Sequence, residues 1–253
     1  MPNVLTMKLE QFTPFTSAER TRLDDLLELP RQTYGIADAI FEEGAKVDSV
    51  FLIIDGVAAR RKTLPNGSRQ TMGFLIPGDL CELEVFVLSS MDHDLVAVCS
   101  TTCIVIPKSV ISGLLTESST LTRALWWSTM ADHAMLRSRI IDQGIRGSYE
   151  RLAHLFYEML IRYRIIGLAE DDSFPFPSTQ MELSEATGMT AVHVNRTLKK
   201  LRSDGLIVLA NKRLSVTDPA RLKHAARFEP NYLHLERTER DTDVSYRARD
   251  LVF

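Results

Sequence analysis

The side chains best suited to recognising another molecule lie in the second half of the sequence, where hydrogen-bond donors and positive charges are concentrated. Three apolar residues there, Val194, Leu198 and Leu201, fall at i, i+4 and i+7, which predicts one core-facing stripe of an α-helix. The helix would run from Ala191 to about Ser203, and its opposite side would face solvent. That side and its flanks carry Val192, His193, Asn195, Arg196, Lys199 and Lys200. Side chains of these types can read base edges and hold phosphates when such a helix enters the DNA major groove.

A helix-turn-helix is the local structure that would position these side chains. Thr179 and Glu182 have the spacing of a capping box, which predicts that the preceding helix begins at Gln180. A short turn led by Gly188 follows this helix. Thr190 then has the residue type and position of an N-cap for the second helix.

The segment after the second helix separates two interpretations. A charged helix face alone is common on ordinary amphipathic helices, where it is simply solvated. Here two short apolar runs, at 206–209 and 214–216, predict a pair of strands. Asn211 and Lys212 can form the turn between them. This winged helix-turn-helix favours DNA binding, with Lys212 and Arg213 placed to contact phosphate.

The N-terminal half has a different pattern, which predicts strands. After a capped helix over residues 14–30, short apolar runs alternate with turn residues, and Asn66-Gly67 is the clearest β-hairpin signal. The glycines that punctuate these runs are Gly44, Gly56, Gly67 and Gly78. Regular strand spacing of this kind predicts an antiparallel jelly roll from about residue 31 to residue 107.

A long helix is predicted from Leu121 to Ile145, because this stretch has no proline and no glycine before Gly144. The helix would be apolar on more than one side, so it must cover the roll and also meet another surface. A second copy of the chain is the simplest partner for that surface. The predicted dimerisation residues are Trp127, Met130, Ala134 and Ile141.

Length, charge and composition limit the class of protein. A chain of 253 residues can hold two modest domains, and its net charge of −3 means that DNA must be met by a local basic patch. The sequence has no apolar run near the ~18 residues of a membrane helix, and its N-terminus lacks a signal-peptide core. Its 3 cysteines, an odd number without paired spacing, predict free thiols in a reducing compartment. We therefore expect a cytoplasmic protein without membrane contact.

A β-roll, a long connecting helix and a C-terminal winged helix-turn-helix, in that order, resemble the CRP/FNR family of bacterial transcription regulators. The resemblance covers about residues 12–220. The segment FEEGAKVDSVFLIIDGVAARRKTLPNGSRQTMGFLIPGDL is similar to the family's effector domain, and ELSEATGMTAVHVNRTLKKLRSDGLI is similar to its DNA-binding motif. The resemblance implies a homodimer with paired long helices and two recognition helices on a palindromic site in double-stranded DNA. It also makes RNA polymerase a candidate partner.

The patterns and the resemblance together predict an α+β fold in four parts. Residues 1–120 would form a cyclic-nucleotide-binding-like β-roll effector domain, and residues 121–146 would form the long dimerisation helix. Residues 147–220 would form the winged helix-turn-helix. The C-terminal extension, residues 221–253, ends in a tail rich in charge and tyrosine that lies beyond the resemblance. This tail would either dock on the effector domain or remain mobile.

Family members that bind cyclic nucleotides have a phosphate-binding cassette, and this sequence departs from it at three places. The family's Gly-Glu pair aligns with Cys81-Glu82, so the glutamate is retained and the glycine is not. The Arg-Ser or Arg-Thr pair falls at His93-Asp94, where a carboxylate would repel phosphate, and the purine-reading Thr-Ser pair aligns with Leu136-Arg137. The resemblance therefore implies an effector pocket that does not hold cyclic AMP. Its candidate residues are Glu82, His93, Asp94, Leu136 and Arg137.

A sensor regulator that responds to a ligand or to redox state is the alternative function. Some family members hold an iron–sulfur cluster on N-terminal cysteines, but no cysteine precedes Cys81 here. Cys99 and Cys103 would share a strand face if the segment is regular, and core packing is favoured over redox chemistry or metal binding. The segment Asp92–Asp94 could ligate a metal, but three consecutive residues cannot all face one ion, which favours a solvated loop. No metal, cofactor or catalytic group is expected, because no nucleophile–base pair is evident.

In the recognition helix, the family commonly presents Arg-Glu ahead of an arginine four residues later. Those positions hold Ala191-Val192 and Arg196, so only the arginine is retained. The resemblance implies that Arg196 pairs with guanine or holds phosphate, and that the DNA site differs because the glutamate is missing. His193 and Asn195 are the expected substitutes, and methyl groups of Val192 would meet thymine. The predicted DNA-contacting residues are Thr179, Gln180, Thr190, Val192, His193, Asn195, Arg196, Lys199 and Lys212.

Overall fold

The computed structural model describes residues 3–235. Two short helices open this part of the chain, namely α1 (Val4–Leu9) and α2 (Ser17–Asp25), and a 3₁₀ turn over Leu26–Glu28 follows. Helix α2 begins as the sequence predicts. The Thr16 hydroxyl accepts a hydrogen bond from the Glu19 amide, and the Glu19 carboxylate accepts one from the Thr16 amide. The sequence patterns did not predict α1, which is only 6 residues long and is capped by the side chain of Asn3.

Eight strands form two four-stranded antiparallel sheets, which confirms the predicted jelly roll. The strands are β1 (Arg31–Tyr34), β2 (Ala39–Phe41), β3 (Ser49–Asp55), β4 (Ala58–Thr63), β5 (Arg69–Leu75), β6 (Leu80–Cys81), β7 (Asp94–Ala97) and β8 (Thr101–Pro107). One sheet has the order β1-β8-β3-β6, and the other has the order β2-β7-β4-β5. A 3₁₀ turn over Leu83–Phe86 follows β6.

Glycines at the turns allow the strands of the roll to reverse direction. Gly56, between β3 and β4, has a φ of 82°, and a Cβ atom there would lie 2.4 Å from the Ser100 carbonyl oxygen. Any larger residue would therefore be both strained and too close to the neighbouring backbone. The predicted hairpin at Asn66-Gly67 joins β4 to β5, and the Asn66 side chain accepts a hydrogen bond from the Ser68 amide at 3.0 Å.

Two helices lead out of the roll. Helix α3 (Lys108–Glu117) is followed directly by the long helix α4 (Ser119–Gly144). Helix α4 begins two residues before the predicted start, because the Ser118 hydroxyl accepts a hydrogen bond from the Leu121 amide and caps the first turn. One face of α4 packs into the roll, and Leu121, Ala124 and Leu125 belong to the buried core of that domain.

The C-terminal part of the chain is the predicted winged helix-turn-helix. Its elements are α5 (Ser148–Ile165), β9 (Ser173–Pro175), α6 (Gln180–Thr187), α7 (Ala191–Ser203), β10 (Ile207–Ala210), β11 (Arg213–Val216) and α8 (Pro219–Ala226). The wing strands pair as an antiparallel hairpin, and β9 adds to it in the order β10-β11-β9. The capping box of Thr179 and Glu182 and the left-handed Gly188 form as predicted.

The winged domain packs directly against the outer surface of the roll. One hydrophobic core joins residues of β4 and β5, such as Ala59 and Phe74, to the buried face of α5, such as Phe156. Ion pairs also cross this boundary, because Arg162 of α5 contacts Asp79 of the roll at 2.5 Å. The recognition helix is therefore carried on a body that is tied to the effector domain.

Candidate nucleic-acid interface and effector pocket

Capping and a buried stripe fix the position of α7. The Thr190 hydroxyl accepts a hydrogen bond from the His193 amide at 3.3 Å, as expected for an N-cap. Val194, Leu198 and Leu201 are buried, and burial of an aliphatic side chain of this kind contributes about 1.5–3 kcal/mol. The stripe fixes the rotation of α7 about its axis, so the opposite residues must face solvent.

The solvent face of α7 offers side chains that have no competing partner. Val192 is 81% exposed, and Arg196 and Lys199 are exposed beside it. Within residues 3–235, neither cationic side chain forms a hydrogen bond or an ion pair. Lys200 differs, because its ammonium group lies 5.0 Å from the centre of the Tyr149 ring. Arg196 is therefore suited to a bidentate contact with guanine, and Lys199 to contact with phosphate.

Polar side chains connect the two helices of the helix-turn-helix on the same surface. The Asn195 amide donates a hydrogen bond to Gln180 Oε1 at 3.1 Å, while His193 is half-buried beside them. Thr179 is exposed, but its hydroxyl already donates to Glu182 Oε2 at 3.0 Å. Gln180 and Asn195 thus lie together next to the free face of α7, whereas the Thr179 hydroxyl is used within the capping box.

Within residues 3–235, the wing presents one free cation, Lys212. Asn211 and Lys212 form its turn in the left-handed conformation, with φ values of 52° and 57°. The Lys212 side chain is exposed and has no ion-pair partner in the described part of the chain. Arg213 instead donates to the Ser173 carbonyl oxygen at 2.9 Å and is held against β9. Lys212 is therefore the wing residue that is available to a phosphate.

The predicted effector pocket is filled by a buried cluster of ionisable side chains, which we call the Arg60 cluster. It comprises Arg60, Glu82, His93 and Asp132. Arg60 donates from Nε to Glu82 Oε1 at 3.1 Å and from Nη2 to Asp132 Oδ2 at 3.3 Å. His93 Nε2 lies 3.3 Å from the same Glu82 oxygen. The carboxylate that the resemblance assigns to a ligand is thus engaged by residues of the chain itself.

Charged forms are favoured inside the Arg60 cluster despite its burial. Burial alone would raise the pKa of Glu82, but the His93 hydrogen bond and the charge of Arg60 outweigh it and lower that pKa. Burial alone would lower the pKa of His93, but hydrogen bonding to Glu82 and the charge of Glu82 raise it above the ordinary value. The cluster therefore places the buried Glu82 carboxylate between Arg60 and His93, in surroundings that favour the charged form of each.

The other predicted pocket residues, Asp94, Leu136 and Arg137, have different surroundings. Leu136 and Arg60 line a cavity of about 20 Å³, which has room for about one water molecule. The Asp94 carboxylate accepts a hydrogen bond from the Glu43 amide at 2.8 Å at the start of β7. Arg137 is exposed on α4. Of the five predicted residues, Glu82 and His93 are brought together, with His93 Nε2 near Glu82 Oε1.

The expectation of a solvated loop over Asp92–Asp94 is wrong for His93. The His93 side chain is buried, and its ring packs edge-on against Phe41 with ring centres 5.8 Å apart. Asp92 is exposed and lies 2.7 Å from His93 Nδ1. His93 turns inward because Glu82 provides a buried negative charge, which the local sequence pattern could not indicate.

Sequence reasoning did not identify Arg60 and Asp132 as parts of this pocket. The available signal was the run Arg60-Arg61-Lys62 inside a predicted strand, where polar residues on an inward face need partners. Successive strand residues point to opposite faces. Arg60 accordingly reaches the pocket, while Arg61 faces Glu185 of α6 at 3.5 Å.

Two of the three cysteines, Cys81 and Cys103, offer little thiolate for metal or redox chemistry. Burial raises the pKa of Cys81 well above its ordinary value and raises that of Cys103 to about 12. Cys99 is half-buried and precedes β8, which begins at Thr101, so the expectation that Cys99 and Cys103 share a strand face is wrong. No group of three His, Cys, Asp or Glu side chains in residues 3–235 could hold a metal ion.

None of the helices described in residues 3–235 is long and apolar enough to cross a bilayer.

The exposed apolar face of α4 differs in part from the predicted dimerisation residues. Met130 and Ile141 are exposed, as a seam between two chains requires. Ala134 is only 3% exposed, and the half-buried Trp127 stacks on Phe12 with ring centres 5.9 Å apart, so neither is free to meet a second chain. The exposed apolar residues of this face are Trp126, Met130, Ile140, Ile141 and Ile145.

Comparison with protein families matches both halves of this architecture. A model described as "Cyclic nucleotide-binding domain" matches residues 31–118, and one described as "Crp-like helix-turn-helix domain" matches residues 150–225. Together with the fold, these matches define a DNA-binding transcription regulator with a cyclic-nucleotide-binding-like effector domain. The chain belongs to the CRP/FNR family of transcription regulators.

Individual relatives agree with this assignment. The chain is 25% identical to the nitrogen fixation regulation protein FixK of Bradyrhizobium diazoefficiens over 213 residues, which cover 83% of this chain and 88% of FixK. It is 28% identical to the transcriptional activatory protein AadR of Rhodopseudomonas palustris, covering 74% of this chain and 77% of AadR. Its fold is similar to the structure of FixK2 from Bradyrhizobium japonicum, with a TM-score of 0.69, 22% identity and coverage of 78% and 96% of the two chains.

Proposed function

We propose that the protein is a homodimer that binds a palindromic DNA site and that cyclic AMP does not control it. The observation that argues against control by cyclic AMP is the Arg60 cluster. The cluster engages the retained Glu82 with Arg60 and His93 and leaves a neighbouring cavity of only about 20 Å³. A cyclic phosphate would meet no free cation there, since Arg60 is already paired with two carboxylates.

The free face of α7 supports direct reading of bases. Arg196 and Val192 would contact base edges, with His193 and Asn195 beside them and Gln180 holding Asn195. Phosphate contacts would come from Lys199 and Lys212, and from the amide groups at the start of α6 and α7, near Thr179 and Thr190. These side chains differ from the Arg-Glu pair that the family commonly presents ahead of the arginine. We therefore expect a half-site that differs from the one such a pair reads.

Four parts of the chain would share this work. Residues 1–120 would act as the effector-like domain, residues 121–146 as the dimerisation helix, residues 147–220 as the DNA-binding domain and residues 221–253 as an extension. In this proposal the protein acts in the cytoplasm, has no catalytic role and takes RNA polymerase as a partner at promoters. Limited proteolysis that cuts between these parts before it cuts within them would support the division.

Selection of DNA from a randomised pool tests the proposal. The purified full chain is expected to enrich sequences with two inverted half-sites, and Arg196→Ala should enrich a less specific set. Enrichment of single, unrepeated half-sites would contradict the palindrome.

Calorimetry with cyclic AMP tests the second part of the proposal. No heat of binding is expected at micromolar concentration, and DNA affinity should not change when the nucleotide is added. Micromolar binding that is lost in Glu82→Ala would instead support the alternative, a regulator that responds to a ligand in the roll.

A further inference from the structure

The chain does not end at the winged domain but returns to the long helix. After α8, residues 228–235, which we call the C-terminal strap, cross back to α4. Phe228 and Leu233 are buried, and a 3₁₀ turn over Pro230–Leu233 shapes the segment. The strap lies beyond residue 225, where the Crp-like domain match ends. The tail was expected to dock on the effector domain or to remain mobile, but these residues instead dock on α4 and α5. Residues 236–253 lie outside the described part of the chain.

Tyr232 of the strap reaches a carboxylate that joins three segments of the protein. Its hydroxyl donates to Glu158 Oε2 at 2.7 Å, and Glu158 of α5 is 0% exposed. The other Glu158 oxygen accepts a hydrogen bond from Arg139 of α4. Burial and the neighbouring Glu158 charge raise the pKa of Tyr232, so the hydroxyl remains a donor at neutral pH. One buried carboxylate therefore ties α4, α5 and the strap together.

Aromatic packing holds the strap against α5. The buried His154 ring packs against both Phe228 and Tyr232, with ring centres 5.1 Å and 5.8 Å away, and these two rings also contact each other at 5.8 Å. Tyr157 meets Phe228 edge-on at 4.8 Å. These contacts are within the range of favourable aromatic pairs. They fix the direction in which the Tyr232 hydroxyl points.

The strap also contacts α4 at a second position. The indole nitrogen of Trp127 donates to the His234 carbonyl oxygen at 3.1 Å. Trp127 and Arg139 are twelve residues apart on α4, a distance of about 18 Å along the helix axis. The strap and the Glu158 carboxylate thus engage the long helix at two separate points, and rotation of α5 against α4 would break at least one of them.

We propose that the C-terminal strap is a positioning element for DNA binding, with Tyr232 as its central positioning residue. By tying α5 to α4, it sets the orientation of α7 relative to the dimer axis and therefore the separation of half-sites that the dimer accepts. Without the strap, the orientation of α7 that fits the correctly spaced site becomes one of several. The affinity for that site then falls in proportion to the fraction of molecules in this orientation. This inference rests on the proposed homodimer on a palindrome.

The test compares palindromes in which the half-sites are moved apart or together by one and two base pairs. The full-length wild-type protein is expected to prefer one separation strongly. Tyr232→Ala should reduce the ratio between the best and the neighbouring separations by ~5-fold or more. Base preference within each half-site should not change, because it resides in α7. If the strap only stabilised the fold, Tyr232→Ala would lower the fraction of active protein. It would leave unchanged both the preference for one separation and the base preference within each half-site.

Three control variants sharpen the test. Tyr232→Phe keeps the ring contacts and removes only the hydroxyl, so its loss of discrimination should lie between wild type and Tyr232→Ala. Glu229→Ala changes an exposed neighbour and should behave as wild type. A chain that ends at Leu235 keeps all the described strap contacts and should also retain discrimination. If that truncation alone removes discrimination, the inference is wrong, because the effect then belongs to residues 236–253.

The outcomes distinguish this inference from the proposed function. If the wild type binds no inverted repeat at any separation, the proposed function fails. If wild type binds and discriminates, and folded dimeric Tyr232 variants discriminate equally well, the strap inference is overturned. Should Tyr232→Ala fail to fold, Trp127→Phe decides the question. That variant keeps an aromatic ring beside Phe12, removes only the donor to His234, and is expected to weaken discrimination.

Discussion

Arg196 combines the three properties that a base-reading residue requires. It is exposed, its side chain is free of partners in residues 3–235, and it projects from a helix whose rotation is fixed by the buried Val194 and Leu198. An arginine in this setting loses no internal bond when it pairs with guanine O6 and N7. Lys212 on the wing differs, because its ammonium group can offer DNA only a single point charge.

Replacement of Arg196 by alanine should relax preference at one base position. We expect a loss of about 1–3 kcal/mol per half-site, with no change in fold because the side chain does not point inward. Competition binding with randomised half-sites measures the effect. An even loss of affinity over all sequences would identify Arg196 as a phosphate contact and leave specificity to His193 and Asn195.

Replacement of Lys212 by alanine should weaken binding to all sequences alike. Since the wing cation contacts phosphate, the slope of affinity against salt concentration should decrease by about one ion per subunit. Titrations at several salt concentrations measure this slope. Unchanged salt dependence would mean that the wing does not touch the DNA backbone.

His93 should make stability depend on pH near neutrality. Its pKa is raised in the folded state, so its contribution is complete below the unfolded value of about 6.5 and is lost as pH rises through the folded value. Glu82 and Asp92 have lowered pKa values and remain charged in this window. Urea unfolding should show wild type losing more stability than His93→Gln as pH rises above about 6.5. His224→Gln, an exposed control, should follow wild type.

At the scale of elements, α4 has two kinds of apolar surface with different roles. Residues such as Leu125 complete the core of the roll, while Met130 and Ile141 stay exposed on a surface that a monomer would leave in water. Exposed apolar residues that recur along one side of a helix are typical of a seam between two helices.

Glutamate at both Met130 and Ile141 should separate the proposed dimer. Four like charges would then face one another across the seam, and sedimentation should report monomers. Gln143→Glu adds charge to an exposed position that is not part of the apolar line and should remain dimeric. Dimers that persist in the double variant would place the interface on another surface.

Local signals in the sequence predicted elements well, and longer-range contacts explain what they missed. Caps at Thr16, Thr179 and Thr190 form because each depends only on residues within one helical turn. Trp127 was assigned to the dimer seam because α4 is apolar on several sides, and only the folded chain shows that Phe12 and the strap cover it. Arg60 was missed for the same reason, since its partner Asp132 lies 72 residues away.

At the scale of the whole molecule, Asp79 joins three parts of the protein. Its carboxylate contacts Lys8 of α1 at 2.8 Å and Arg162 of α5 at 2.5 Å, and it accepts a hydrogen bond from the Ile76 amide within the roll. Burial would raise the pKa of Asp79, but Lys8 and Arg162 outweigh that effect and lower it. This one side chain therefore couples the N-terminal helix, the roll and the DNA-binding domain.

Replacement of Asp79 by asparagine should destabilise the whole protein. Two buried cations would lose their counter-charge, which typically costs about 3–5 kcal/mol. The free energy of unfolding in urea measures the loss, and Asp55→Asn, at an exposed position of the roll, is the matched control. A cost no greater than that of the control would mean that water screens this pair effectively.

The Arg60 cluster has a consequence for how such a regulator would be governed in the cell. If the proposed function holds, this pocket, already filled by the protein's own side chains, would give cyclic AMP no point of entry at that position. Transcription from its target promoters would then follow the number of protein molecules in the cell, which synthesis and degradation set. Because two chains are needed on each palindrome, promoter occupancy would rise with about the square of protein concentration while most chains are unpaired. Modest changes in expression of its own gene would thus produce steep changes in its targets.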